Sequence, residues 1–464
     1  MLKNKKSIFI LGLLLFFLIL PRILVYFVFG PGLVGADAEG RYFPQVEQLS
    51  ESFTNFFSQT GPLYSLFLMF FDKINNNMVA GPVLIQHILG IITALIVFYY
   101  FRKINLPLAF FVTILTYSSW IALWLEHTIL RDSLAALFAV LLVILASLAA
   151  KEARYFKFLF AILVGLIGLI LVFIRIEFIV LFILMPLIIF VVKKRIIPGF
   201  RLKDKKFWQW NFGYFLPLLI VLIIYSALFQ PFQMGTTYGS FFNIAYLDLI
   251  PDAFYYENSN YPELLEKYQG VSETNAGKRE RLGKLYEVTE EYLSGHPEIE
   301  LSYLEIMDRI YIEIMTRNTL VYLKSFSINF KNNLLGIAEL NTLISKDKIT
   351  DSGVETIIDY PVVDKIFHTH NIGMKWFSIA LFLLFLISLP FLIIKWRSLP
   401  PEIVIAFLVC VIHISVLAFL ADANHRFRYP LDPFFYFFQF YLISILLRTI
   451  FIGFKNRLFV KKKE

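Results

Sequence analysis

Ten apolar runs constrain this chain more than any other feature. A helix crossing a bilayer needs about 20 mostly apolar residues, and runs of that kind lie near 7–29, 79–101, 106–125, 128–149, 156–173, 176–192, 210–229, 374–394, 401–420 and 430–452. In hydrocarbon every backbone amide must be satisfied inside the protein, so the fold class expected is an all-α polytopic membrane protein of about ten spans. Composition agrees: 58% of the 464 residues are hydrophobic and only 17% are charged, with a mean hydropathy of +0.68. The 156–192 region could be one long helix, but Arg175 and Glu177 would then sit deep in lipid, so two shorter spans are expected.

The net charge of +8 hides a division. Residues 230–372 hold 12 Lys/Arg against 21 Asp/Glu, whereas the rest holds 31 against 14. The basic excess falls in short loops between apolar runs, which fits membrane orientation and not nucleic-acid binding. With the amino terminus inside, 22 basic residues and four acids face the cytoplasm, and an even number of spans returns both termini there. The segments 30–78 and 230–372 are then expected outside. Three parts follow: membrane segments 1–229 and 373–464, and an extracytoplasmic loop domain at 230–372. That domain reads as mainly helical, with an amphipathic stretch from Tyr261 to Gly295. A second helix is expected from Pro297, carrying Leu301, Leu304, Met307 and Tyr311 at helical spacing. The single Cys410 excludes an intrachain disulfide, and the chain has no Asn-x-Ser/Thr sequon. A bacterial or archaeal plasma membrane is expected.

This topology gathers four polar groups at the outer boundary: Asp37, Glu39, Arg41 and Tyr42; Glu126, His127, Arg131 and Asp132; Arg175 and Glu177; and Asp422, Asn424, His425, Arg426, Arg428 and Tyr429. Ionisable groups at membrane depth are costly, so a one-sided cluster suggests a shared site. Each group also has a plainer reading. Asp37 is a solvated loop acid, Asp132 an N-cap, Arg175 and Glu177 a local pair, Arg426 and Arg428 headgroup anchors, and His127 and His425 surface or packed residues. No metal motif, P-loop, nucleophile elbow or dinucleotide fingerprint is present; a divalent cation has only Asp37 and Glu39 to suggest it.

Four stretches, ADAEGRY, TGPLYSLF, LEHTILRDSL and RFRYPLDP, in this order and on one side, resemble the GT-C type of membrane glycosyltransferase. That group contains the protein O-mannosyltransferases and the aminoarabinose transferases related to glycosyltransferase family 39. Two departures stand out: Asp37 precedes Tyr42 by five residues where four is commoner, and Gly61-Pro62 replaces a usual proline pair. The resemblance implies a polyprenyl-phosphate sugar as donor and a glycan, lipid or protein as acceptor. It further implies Asp37 as general base, with Glu39 near enough to take that part and Asp132 or Tyr42 as acceptor-side groups. Arg426 and Arg428 are the expected phosphate ligands, with Arg131 and Arg175 in reserve; His127, Glu177, His425 and Tyr64 are accessory. A polyprenyl-phosphate leaving group needs cationic stabilisation more than a strong acid, and arginine's planar fork suits phosphate. A surface-polysaccharide polymerase or ligase, or a flippase of lipid-linked glycans, are the alternatives.

Overall fold

The computed structural model describes residues 5–34, 38–52, 56, 61–151, 156–197, 199–228, 251–255, 259–274, 278–299, 302–335, 393–419 and 429–460, with eight isolated positions between 376 and 390. Chain contacts divide it into two units: Met1–Phe232 with Glu339–His413 and Arg428–Glu464, and Gln233–Ala338 with Ile414–Phe427.

The first unit is a helix bundle. Its helices are α1 (Lys5–Phe29), α2 (Phe43–Glu51), α3 (Pro62–Asn75), α4 (Ala80–Phe101), α5 (Leu106–Tyr117), α6 (Trp120–His127), α7 (Asp132–Lys151), α8 (Phe158–Ile174), α9 (Ile179–Ile196) and α10 (Lys205–Leu228). Beyond the second unit's segment come α15 (Pro401–Phe419), which belongs to this unit as far as His413, and α16 (Asp432–Val460). Among the described residues no strand forms, and seven helices are long and apolar enough to cross a membrane, or eight if α5 and α6 count as one bent span. This is a multi-pass, all-α membrane protein. The expected run 374–394 falls largely outside the described residues.

Two expected spans differ in form. The run 106–125 is broken, with α5 and α6 meeting at 49°. Ser118 ends the first, and the Ser119 hydroxyl caps the second by accepting from Ala122 N at 3.2 Å. The run 156–192 is two helices, as expected, because Arg175 takes an extended conformation (φ −146°, ψ 106°) between them. At 17 residues, α8 rises only about 26 Å, short of the roughly 30 Å hydrocarbon thickness.

Prolines inside helices free carbonyls four residues back, and neighbouring helices repair two of them. Pro186 of α9 frees the Phe182 carbonyl, which accepts from Tyr214 Oη of α10 at 2.8 Å. Pro21 of α1 frees the Phe17 carbonyl, which accepts from Ser118 Oγ at 2.8 Å. The first helix thus rests against the break between α5 and α6. Elsewhere α8 meets α10 backbone to backbone: a Cβ on Gly165 would lie 1.9 Å from the Tyr214 carbonyl oxygen, the close approach that small residues permit in membranes.

The bundle's two ends differ. At one end Lys151 pairs with Glu402 at 3.0 Å, Lys193 donates to the Ala149 carbonyl at 3.1 Å and Arg195 to the Leu399 carbonyl. The opposite end, where α1, α6 and α8 finish and α4, α7 and α9 begin, holds the polar clusters.

The second unit is built from α11 (Pro262–Ser272), α12 (Lys278–Gly295), α13 (Tyr303–Arg317) and α14 (Thr319–Leu335). Its core joins Leu264, Tyr268, Leu285, Met307, Ile310 and Tyr311. The expected Tyr261–Gly295 stretch is two helices. The expected start at Pro297 is corrected to Tyr303: Ser302 and Glu305 form a reciprocal capping box, which satisfies two amide donors that Pro297 could not have served.

Candidate functional site: a polar end of the helix bundle

The first loop is fastened to the α6–α7 turn. Leu33 N donates to the His127 carbonyl at 2.9 Å, and Ile129 N returns a bond to the Leu33 carbonyl at 3.0 Å. The chain re-emerges as a π-helical turn, Ala38–Tyr42, that runs into α2. Tyr42 and Tyr64 are fully buried and meet edge to face at 4.9 Å. The Tyr64 hydroxyl donates to Gln86 Oε1 at 2.8 Å, and the Gln86 amide donates to the Glu126 and Thr128 carbonyls, each at 2.8 Å. Both rings are therefore built into the wall of this end. Gly61, the departure from a proline pair, has φ +78°, which a proline ring fixed near −65° cannot adopt. A Cβ there would also lie 2.7 Å from both Arg131 Nη1 and the Ile174 carbonyl oxygen.

Below this layer lies a network that the sequence reading missed. Arg22 of α1 grips Glu126 of α6 with a two-pronged fork, Nε to Oε2 at 2.7 Å and Nη2 to Oε1 at 2.6 Å. Its remaining donors reach the Leu18 carbonyl at 2.5 Å and the Tyr117 carbonyl at 3.0 Å, the latter at the end of the broken α5. His87 Nδ1 donates to Glu126 Oε2 at 3.0 Å, since a carboxylate only accepts. Its Nε2 meets His127 Nδ1 at 3.1 Å. All four side chains are buried. Gly90 of α4 makes the space, because a Cβ there would lie 2.0 Å from Glu126 Oε1. The signal was present in the sequence: Arg22 and His87 are solitary ionisable residues within apolar runs, and such residues are functional candidates by default. These two add to the four polar groups expected at the outer boundary. Each lies seven residues inside its helix, about 10 Å from the end at 1.5 Å per residue.

The second network lies across the α6–α7 turn and the α8–α9 break. Arg175 Nη1 donates to Asp132 Oδ1 at 2.7 Å, and its Nη2 lies 3.6 Å from Glu177 Oε1. Arg131 donates to the same Glu177 oxygen at 3.2 Å and to the Ile174 carbonyl at 3.2 Å. The local Arg175–Glu177 pair is thus part of a four-residue group. Asp132 is the first residue of α7, and its carboxylate is bound by an arginine from 43 residues away. Both guanidinium groups already face carboxylates, so a phosphate at Arg131 or Arg175 would compete with the charges of Glu177 and Asp132.

Glu39 is exposed on the π-helical turn. Asp37, His425, Arg426 and Arg428 lie outside the described residues. Their chain neighbours do not: Ala38 and Tyr429 belong to one buried cluster with Tyr42, Tyr64, Trp124 and Leu130. Among the described residues no group of three or more His, Cys, Asp or Glu is arranged to hold a metal ion. Compared with family models, curated proteins and solved structures, the chain matches none.

Proposed function

We propose that this protein is a membrane transferase that moves a sugar from a polyprenyl-phosphate donor to an acceptor at the polar end of its bundle, on the extracytoplasmic side. The observation that supports it most is the shared cluster of Ala38 and Tyr429. These residues adjoin Asp37, the candidate base, and Arg428, one of the candidate phosphate ligands. A carboxylate that deprotonates an acceptor hydroxyl, and arginines that stabilise the departing phosphate, suffice for direct displacement with inversion. In this reading Arg131, Arg175, Asp132 and Glu177 frame the site.

The test is reconstitution of the full chain with radiolabelled polyprenyl-phosphate sugars and a glycan or lipid extract. Transfer of label to an acceptor is the expected result. General-base contributions run about 10² to 10⁴-fold, so Asp37→Asn is expected to lower transfer by about that factor with expression intact, and Glu39→Gln to lower it far less. Unchanged transfer in Asp37→Asn sinks the assignment of the base, and a reversed ranking hands the role to Glu39. The intramembrane position of Arg22, Glu126 and His87 favours one competing reading, a transporter of lipid-linked glycan. Label that crosses the bilayer unmodified would establish that reading instead.

A further inference from the structure

A groove of about 460 Å³ opens between the middle of α9 and the first half of α10. Ile183, Pro186 and Leu187 form one wall, and Trp208, Phe212 and Phe215 the other. Its residues on α10 span 207 to 215, a rise of about 12 Å, shorter than one leaflet of a roughly 30 Å hydrocarbon core.

The chemistry along the groove changes in order. Lys194 falls seven residues beyond Leu187, and Lys205 seven before Phe212. Seven residues are close to two helical turns, so each lysine continues its own wall toward the basic end, and both are exposed. Trp208, also exposed, is four residues into α10 on the same side, and indole rings favour the membrane interface. Deeper sits Asn211, a carboxamide in an otherwise apolar lining. Its Oδ1 is buried and has no hydrogen-bond partner among the described residues. Because amide oxygen and nitrogen exchange places by a flip, Asn211 can offer either a donor or an acceptor. Past it the walls are aromatic and aliphatic. Cation, amide and hydrocarbon in that order are complementary to phosphate, ester and acyl chain.

The geometry points to a binding site for an anionic phospholipid in the α9–α10 groove, its phosphate between Lys194 and Lys205, its ester carbonyl on Asn211 and an acyl chain against Phe212 and Ile183. A polyprenyl chain lacks the ester and outruns a single leaflet. The site is independent of the transfer reaction.

The test uses the purified full chain in detergent and a phospholipid carrying a photoreactive acyl chain. Cross-links are expected in the peptides that contain 183–187 and 207–215. Phosphatidylglycerol should compete for them, and phosphatidylcholine with the same chains should compete far less. A basic residue near an anionic surface is worth about fivefold in binding. Lys194→Gln with Lys205→Gln should therefore weaken phosphatidylglycerol competition about 20- to 30-fold and leave phosphatidylcholine unchanged. Asn211→Leu should weaken both lipids equally. Cross-links scattered over the bundle, equal competition by the two phospholipids, stronger competition by polyprenyl phosphate, or protection of the groove by a second copy of the chain would each overturn the assignment. If the double lysine variant fails to fold, the comparison of the two lipids on the unaltered chain still decides.

Discussion

The two units handle buried carboxylates in different ways. In the membrane bundle Glu126 is held by Arg22 at 2.6 Å and Asp132 by Arg175 at 2.7 Å, both at the polar end of the apolar helices. In the second unit Glu313 accepts from neutral groups, Ser259 Oγ at 3.0 Å and the Asn260 amide. Asp308 Oδ1 there has no hydrogen-bond partner among the described residues. Burial and the neighbouring Glu305 push the Asp308 carboxyl up to about 6. Where a proton can be had from water, a carboxyl can be accommodated by taking one up. Inside the bundle the guanidinium, which stays charged under all ordinary conditions, is the durable counter-charge. The contrast separates carboxylates held by a fixed counter-charge from those held by neutral groups or by a proton.

The largest expected effect tests the bundle's side of the contrast. Arg22→Met leaves Glu126 buried without its main partner, and breaking such a pair costs about 3–5 kcal/mol. Thermal unfolding of the full chain in detergent should show that loss. The double variant Arg22→Met with Glu126→Gln should recover much of it, because a neutral amide can still receive the His87 donor. Strictly additive losses would mean that the two residues are not coupled. Next comes the capping box of the second unit. Ser302→Ala removes the hydroxyl that Glu305 N donates to, at a cost of about 1 kcal/mol, read as faster hydrogen exchange over the first turn of α13.

The smallest effect is the most diagnostic. The raised Asp308 carboxyl binds its proton more tightly in the folded chain than in the unfolded one. Its contribution is therefore complete below the ordinary aspartate range near 4 and is lost as pH rises through about 6. Since the group is partly open to solvent, the swing is on the order of 1 kcal/mol after discounting for screening. Asp308→Asn should abolish the pH dependence of α13 exchange between pH 4 and pH 6, relative to the unaltered chain at each pH. An unchanged profile would remove Asp308 from the contrast.

The sequence was most legible where a signal repeats. Length and hydropathy reveal most of the spans, and Met307 and Tyr311 reveal the second unit's core. The division at Arg175 was legible because a charge interrupts an apolar run. The break at Ser118 was not, since hydrophobic composition continues through Trp120 to Leu125 and two serines are compatible with a helix. The start of α13 was misplaced because Pro297 is a permitted first helical residue, whereas Ser302 with Glu305 is a better one only when both bonds are counted. In the site, Arg131, Asp132, Arg175 and Glu177 were legible as neighbours on one end. Arg22 and His87 were not, because what gives them meaning is Glu126, 104 and 39 residues away.

That separation sets a schedule for biogenesis. Arg22 and the carbonyl freed by Pro21 both find their partners on the segment around Ser118 and Glu126. At synthesis rates of about 5–20 residues per second, the 104 residues between Arg22 and Glu126 take about 5–20 s to appear. During that interval the first span carries a charge with no acid to meet it and a backbone oxygen with no donor, both unwelcome in lipid. Until the bent pair arrives, Arg22 has to be satisfied by water, by the interface seven residues away or by another protein. The contacts that satisfy the first span come from the end of α5 and from α6, whose Glu126 is shared with His87 of α4, so its burial is complete only when all four helices have assembled.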